Sequence, residues 1–298
     1  MAFLTFRGGI HPYDGKDLSK NCPVEKYLPK GDLAILVSQH IGAPAKPIVK
    51  KGDHVLAGQK IAEAGGFVSA PIHSSVSGTV KGIEKRLTAV GAMGDAIIIE
   101  NDGLYESVEY APAKLSDLSK EDILKRIQEG GVVGQGGAGF PTHVKLSPKE
   151  PDKIDHILVN GAECEPYITS DYRRMMEEPE SIVGGLEVIL KAFPKAVGCI
   201  CIEDNKPDCI ARMKEAIKGK ERMEVKELKT KYPQGGERQL IYATTGRAIN
   251  STMLPADAGC VVDNVETMIN IYQAVVEGKP SIERIVTVSG DAINEPGN

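Results

Sequence analysis

The residues best suited to chemistry are Gly134-Gln135-Gly136-Gly137-Ala138-Gly139-Phe140-Pro141-Thr142, with Lys145 just beyond. Four glycines within the six residues 134–139 strip the backbone of side chains, so its amide N–H groups can lie against an anion. Phe140 and Pro141 then restrict the chain. A plain linker would be diluted with serine and other polar residues. Two readings remain open at this point: a cradle for a phosphate-bearing ligand, or a tight structural turn. Gly134, Gly136 and Gly139 also satisfy G-x-G-x-x-G, but a dinucleotide fingerprint must follow a strand and open a crossover helix. Here a helical pattern precedes the loop, only Val132-Val133 intervenes, and the segment 142–148 is too short for a crossover. The ordinary dinucleotide fold is therefore rejected for this loop.

A second set of polar residues lies in Asn160-Gly161-Ala162-Glu163-Cys164-Glu165-Pro166, at the expected carboxyl end of the strand 155–160. Two acids in a short Gly- and Pro-containing loop suit hydrogen bonds to ribose- or ribityl-type hydroxyls; the alternative is charge at the start of the next helix. Tyr232-Pro233-Gln234-Gly235-Gly236-Glu237-Arg238 opens a helix at about 237–246, an anion-facing turn by its composition. Asp263-Asn264-Val265-Glu266-Thr267 is expected to open a helix over 268–276, with Asp263 or Asn264 as its cap or as a ligand donor.

The elements that must position these residues follow from the apolar patterns. Ser119 with Asp122 three residues on starts a helix whose apolar face is Ile123, Leu124 and Ile127 and whose end is Gly130-Gly131. From residue 154 onward a strand, a helix at 180–192, a strand at 196–202, a helix at 207–218 and a strand at 223–228 give βαβαβ order, hence a parallel sheet with right-handed crossovers. Ligands of such sheets sit beyond the carboxyl ends of the strands. Residues 282–298 read as a strand, RIVTVSGD, plus a turn. The stop at Glu295-Pro296-Gly297-Asn298 leads us to expect a chain cut short of a further domain.

The front of the chain differs. Residues 1–30 carry Gly, Pro and Asp punctuation without a sustained period and read as an irregular arm packed across another domain; His11 there reads as structural. Residues 31–100 alternate short β-rich runs with turns. Two halves, Lys51-Gly52-Asp53-His54-Val55 leading into Gly58-Gln59-Lys60-Ile61, and Ala70-Pro71 leading into Val76-Ser77-Gly78-Thr79-Val80, resemble a biotinyl/lipoyl barrel-sandwich domain. Carriers of that family bear a modified Lys between the halves; here the hairpin is Glu63-Ala64-Gly65-Gly66-Phe67-Val68-Ser69, so a scaffold is expected instead. His54 and His73 have no metal-site spacing.

Composition narrows the function. Of 298 residues, 41% are hydrophobic and 26% charged, as in ordinary globular proteins, and a net charge of −5 argues against nucleic acid. No apolar run approaches a membrane span, and the N-terminus lacks a secretory pattern, so a cytoplasmic chain is expected, with membrane association through a partner. Cys22, Cys164, Cys199, Cys201, Cys209 and Cys260 form no C-x-x-C pair and read as buried free thiols, Cys199 and Cys201 on one strand face.

Taken in order, Gly134-x-Gly136-Gly137-Ala138-Gly139-Phe140-Pro141-Thr142, Asn160-x-x-Glu163-x-Glu165-Pro166, Gly236-Glu237 and Asn264-Val265-Glu266-Thr267 resemble the FMN- and NADH-binding flavoprotein subunit of respiratory complex I. Phe6-Arg7-Gly8-Gly9-Ile10-His11-Pro12, the barrel-sandwich segment and the run through Pro141-Thr142-His143-Val144-Lys145-Leu146 are more similar to the RnfC family. Its members are components of the Rnf complexes, membrane-bound ferredoxin:NAD oxidoreductases coupled to ion transport. The resemblance covers essentially the whole chain. It implies an α/β fold: a parallel-sheet FMN-binding domain of the complex I flavoprotein type, preceded by a β barrel-sandwich hybrid. The implied domains are an arm at 1–30, the barrel-sandwich at 31–111, the FMN/NAD domain at 112–280 and the start of a β-grasp SLBB domain at 281–298.

The implied cofactor-binding residues are Gly134, Gly136, Gly137, Ala138, Gly139, Phe140, Lys145, Asn160, Glu163, Glu165, Gly236, Glu237, Asp263 and Asn264. Lys145 would contact the flavin, Asn160 and Glu163 would lie by the ribityl and ring, and Phe140 and Glu165 match nicotinamide-nucleotide contacts. Gln135, Ala162, Arg238 and Asp263 depart from the complex I pattern, and Arg238 bears on how NADH is contacted. The implied activity is hydride exchange between NAD(H) and FMN, with no side chain needed as acid or base and electrons passed to [4Fe–4S] clusters whose cysteine runs lie beyond this chain. Partners would be the other Rnf-type membrane subunits and a ferredoxin-like iron–sulfur subunit, at the cytoplasmic side of the cell membrane. Two other readings stay open: a cobalamin reductase-type flavoprotein, and a docking adaptor with a vestigial flavin site.

Overall fold

A computed structural model describes residues 4–298. It divides into two compact units, one of residues 26–147 with 273–284, the other of the residues up to 25 with 148–272 and 285–298.

The first unit holds the short strands β1 (Leu33–Leu36), β2 (Lys46–Pro47), β3 (His54–Val55), β4 (Lys60–Glu63), β5 (Ile72–His73), β6 (Gly78–Leu87) and β7 (Met93–Asn101), then helix α1 (Lys120–Glu129) and the single turn α2 (Thr142–Lys145). One antiparallel sheet has the order β1-β7-β6-β3 and the other β2-β4-β5. Alternation explains the layers: Val55, Ile61, Val76, Val80, Ile97 and Ile99 all enter one buried cluster, and each fully buried aliphatic side chain contributes about 1.5–3 kcal/mol. The paired half-repeats thus build the barrel-sandwich that their sequence implies. Helix α1 carries the expected reciprocal cap, Asp122 N–H to Ser119 Oγ at 3.1 Å and Ser119 N–H to Asp122 Oδ2 at 2.9 Å, and buries Ile123 and Ile127.

The second unit is built on β8 (His156–Gly161), α3 (Ser170–Glu177), α4 (Pro179–Ala192), β9 (Val197–Glu203), α5 (Pro207–Ala216), β10 (Met223–Leu228), α6 (Glu237–Thr245), β11 (Cys260–Asn264) and α7 (Val265–Tyr272). All four strands are parallel, in the order β10-β9-β8-β11. The chain moves outward from β8 to β10 and then returns to lay β11 on the other side of β8. That reversal makes the β8/β11 junction the topological switch point of the sheet. Cys199 and Cys201 share one buried cluster with Leu158, Leu240 and Val262, the common face their spacing implies. Of the six cysteines Cys22 is only half-buried.

Two expectations need correcting, and one helix was not expected. Asp263 and Asn264 end β11, and the helix that Asn264 caps, α7, begins at Val265, three residues earlier than expected, and passes into a π-helical turn at Gln273–Glu277. A buried run of only five residues, Cys260–Asn264, is too short for its period to show. Helix α3 is not evident from sequence either, because Ser170–Glu177 is polar except on the face that buries Tyr172 and Met175. No strand forms at 282–291; there is only the bridge Val288 to Gly297.

Helices α4 and α7 lie so close that a Cβ on Gly185 would stand 2.0 Å from the Met268 carbonyl oxygen. Across the same layer Arg174 forks onto Glu266, Nε to Oε2 at 2.6 Å and Nη2 to Oε1 at 3.0 Å. Gly185→Ala is therefore expected to cost about 1–3 kcal/mol or more, because backbone rather than a movable side chain must give way; urea unfolding against an exposed-helix alanine control measures it. In the first unit, burial and the charge of Lys60, paired opposite on β4, push His73 from 6.5 down to about 4. The unfolded chain then takes up the proton more readily. Stability present above the unfolded value is lost as pH falls toward 4, about 1–2 kcal/mol by about pH 5. His73→Gln should flatten that slope in urea midpoints taken across this range.

Candidate functional site

The residues singled out above fall in both units, 134–145 in the first and 160–264 in the second. In the first, the glycine loop is tied at its feet. Thr142 N–H donates to Val132 O at 3.1 Å, Gly134 N–H to Phe140 O at 2.9 Å, and Val133 and Pro141 form an antiparallel bridge. Between the feet Gly136, Gly137 and Ala138 are exposed or half-exposed, and the Gln135 carbonyl accepts Arg284 Nη2 at 2.8 Å. Gly139 is a glycine for internal reasons: its φ is +66° and a Cβ would press to 3.1 Å on Gln39 O. Gly137 has nothing within 4 Å, so no contact inside the chain explains its missing Cβ. Phe140 is half-buried, and Lys145 closes α2. Below them Thr142 Oγ1 and His143 Nδ1 are buried with no partner among the described residues.

In the second unit the switch point collects the other group. Asn160 and Asn264 are paired in register at the carboxyl ends of β8 and β11. The Asn160 amide donates to Gly235 O at 2.8 Å while its Oδ1 accepts Ala162 N–H at 3.2 Å. Asn264 Oδ1 accepts Glu266 N–H at 2.8 Å, a cap for α7, and its Nδ2 donates to Asp171 Oδ2 at 2.7 Å. Gly235 is bare against this cluster; a Cβ there would approach Ala162 Cβ, Asn160 Oδ1 and Cys164 Sγ at 3.3–3.4 Å. Next to it Gln234 is 0% exposed, and its Nε2 finds no acceptor among the described residues. A buried amide N–H₂ left unbonded costs about 1–3 kcal/mol. Gly236 caps α6, Glu237 is its exposed first residue, Asp263 is buried on β11, and Glu165 is exposed.

Glu163 is 5% exposed and held from several sides. Its Oε1 accepts the amides of Asp171 and Tyr172 at 2.7 and 3.4 Å, capping α3, and its Oε2 lies 3.5 Å from Lys16 Nζ. Lys16 also donates to the carbonyls of Glu165 (3.1 Å) and Ile168 (2.5 Å). A second buried pair, Lys206 with Glu203 at 3.5 Å, lies alongside, and Lys206 donates to Ala162 O at 2.6 Å. Burial pushes Glu163 up and Lys16 down, while each opposes the shift of the other. Burial and the facing Glu163 hold Asp171 well above the carboxylate range. Glu163 and Tyr167 adopt φ of +45° and +67°, strained backbone for side-chain-bearing residues, and both lie in the loop that Lys16 binds.

The arm is thus part of the site. Ile10 and Tyr232 exchange backbone hydrogen bonds at 2.9 and 2.8 Å, Lys231 Nζ sits 4.1 Å over the Phe6 ring, Tyr167 N–H donates to Asp14 O at 2.6 Å, and Thr5 Oγ1 reaches Gln234 Oε1 at 3.4 Å. Sequence reasoning missed Lys16, Lys206 and Asp171, and named Gln234 only as one residue of the anion-facing turn 232–238. The one usable signal was Glu203, a charge closing an apolar strand; Lys16 lies in a segment with no period at all. Removing one partner strands the other, so Lys16→Ala is expected to lower the unfolding free energy by about 3–5 kcal/mol. The double variant Lys16→Met/Glu163→Gln should recover part of that, both read by urea denaturation.

The first unit offers an open glycine tip, the second a buried unbonded amide and asparagines at a switch point, and no cluster of metal-ligating side chains occurs among the described residues. Residues 127–273 match the Nuo51 FMN-binding domain, and residues 4–104 match the RnfC barrel sandwich hybrid domain. The chain is 47% identical over 296 residues to the C subunit of the proton-translocating ferredoxin:NAD(+) oxidoreductase complex of Clostridium ljungdahlii, covering 99% of this chain and 65% of that protein. It is 45% identical to the Na(+)-translocating counterpart of Acetobacterium woodii, covering 98% and 66%, and 40% identical to the C subunit of the ion-translocating oxidoreductase complex of Pseudomonas aeruginosa, covering 100% and 39%. The chain therefore spans just under two thirds of the first two relatives. Both halves of the chain and its relatives lead to one conclusion: it belongs to the RnfC family, the C subunits of ion-translocating oxidoreductase complexes.

Proposed function

We propose that this chain binds FMN and NAD(H) and forms the part of a ferredoxin:NAD oxidoreductase complex in which hydride passes between nicotinamide and flavin. The observation that supports this most directly is the switch point itself: Asn160 and Asn264 end adjacent parallel strands beside a bare Gly235 and the unbonded Gln234 amide. Gly134, Gly136, Gly137, Ala138 and Gly139 offer backbone to the phosphate, with Lys145 as the cation on that side. Asn160, Gly236, Glu237, Asp263 and Asn264 serve the ribityl chain and ring, and Phe140 and Glu165 the nicotinamide nucleotide. Glu163 acts through its neighbours: with both oxygens engaged by α3 amides and Lys16, it fixes the loop that presents Glu165.

Bound FMN would supply the exchange between two-electron and one-electron chemistry. The protein's own share is to bind, orient and exclude water. Gly235 O holds the Asn160 amide in place, and Asn264 is held by its cap to α7 and by Asp171. Relatives of this chain are named as subunits of ion-translocating ferredoxin:NAD(+) oxidoreductase complexes, which supports other subunits of such a complex as its partners; a ferredoxin-like iron–sulfur subunit among them and a peripheral position on the cytoplasmic face belong to the proposal. Among the described residues no helix is long and apolar enough to cross a membrane.

Titration of the purified chain with FMN, followed by flavin absorbance and fluorescence quenching, should show saturable binding, and NADH should then bleach the bound flavin. Asn160→Ala and Gln234→Leu are expected to weaken FMN binding about tenfold or more, the loss of one to two buried hydrogen bonds. Arg238→Ala should alter the NADH concentration dependence alone. A chain that takes up no FMN under these conditions refutes the proposal.

A further inference from the structure

Strands β6 and β7 outrun the sheet that contains them. Strand β1 pairs with β7 only over Ala96–Ile99, and β3 pairs with β6 only at Gly78–Thr79. Val37 N–H still donates to Asp95 O at 3.0 Å, and Gly52 and Asp53 bond Val80, but past these residues the two strands pair with each other, through Lys85 opposite Asp95, Arg86 opposite Gly94 and Leu87 opposite Met93. The result is a projecting hairpin. Its end is rigid: Thr88 N–H and Oγ1 both donate to Ala92 O at 2.8 Å, and Gly91 N–H donates to Thr88 O at 3.0 Å.

Water-facing hairpin ends usually carry Asn, Asp or Ser with Gly, because those residues satisfy the turn and the solvent together. This end is Leu87-Thr88-Ala89-Val90-Gly91-Ala92-Met93-Gly94, without a charge. Leu87 is 68% exposed, Val90 88% and Met93 60%, and the single hydroxyl is already bonded within the turn. The residues next to the tip are charged in a graded way. Lys85 and Arg86 are the only charged residues from 85 to 94; Arg86, opposite Gly94, is the charged residue nearest the tip, Lys85 is level with its partner Asp95 at 2.9 Å, and Glu84, the partner of Arg86 at 2.6 Å, stands below both.

We propose that this hairpin is a membrane-surface anchor. Leu87, Val90 and Met93 enter the headgroup–acyl boundary of a bilayer, and Lys85 and Arg86 lie at the level of anionic headgroup phosphates. The side chains of the tip are apolar but for the Thr88 hydroxyl, whose proton is bonded within the turn, and its order, apolar end, then Arg86, then the Lys85–Asp95 pair and Glu84, matches the polarity of an anionic lipid surface met end-on.

Vesicle flotation tests the inference on the intact chain. With phosphatidylcholine vesicles containing about a quarter phosphatidylglycerol the chain should float. Neutral phosphatidylcholine vesicles, or about 0.5 M salt, should cut the floated fraction several-fold. Val90→Asp and Met93→Asp lie at an exposed tip, and should reduce flotation about tenfold or more while circular dichroism and the urea midpoint stay unchanged. Lys85→Gln/Arg86→Gln should remove the preference for anionic vesicles. Failure to float on either vesicle type overturns the proposal, as does flotation indifferent to the tip aspartates. Tip variants that lose a partner subunit of the complex but leave flotation unchanged would assign the hairpin to a protein pocket and overturn it equally.

Discussion

The second unit depends on a pair of buried charges more than on any single apolar contact. Lys16 reaches from the arm into a space closed by Glu163 and two carbonyls, and Lys206 with Glu203 fills the volume beside it. Isolated, each of these charges would be too costly to bury; together, and supplied with backbone partners, they hold an otherwise untenable loop. The positive φ at Glu163 and Tyr167 persists because the surroundings leave no alternative. The loop in turn caps α3, carries Glu165 outward and brings Asp171 under Asn264.

The sheet supplies the other half of the arrangement. A parallel order that runs out in one direction and then doubles back leaves one crevice at its carboxyl edge, between β8 and β11. Both strands carry asparagine there, a residue that can donate and accept at once without bringing a charge. Each amide already has internal bonds that fix its direction. Gly235 completes this corner by having no side chain, and Gln234 by having one whose N–H₂ finds no acceptor among the described residues. Preorganisation of this kind costs stability when the site is filled only by water, which accounts for the weight of structural support behind it.

Much of the fold was legible because local and global signals coincide. The capping box of α1, the apolar strands at 156–161 and 197–203 and the half-repeats of the barrel-sandwich each announce themselves in type and period. β11 and α3 did not, the first being too short to show a period, the second polar on all but a narrow face. Of the site, the residues recognisable by motif were backbone donors and strand-end amides. Lys16 was invisible for a physical reason: its role comes from a contact with a residue 147 positions away, and nothing in its immediate neighbours encodes that meeting. Gln234 likewise looks like a turn residue until its burial is known.

The arm's long reach bears on how the molecule is made. Residues 6–16 leave the ribosome well ahead of their partners, Glu163 and Lys231, which follow some 147 and 225 positions later. Until then Lys16 has no counter-charge and the arm no surface to settle on. Contacts of such separation form slowly. Both partners precede β11 in the chain, so the arm can be strapped down before the strand that closes the carboxyl edge of the sheet has been made.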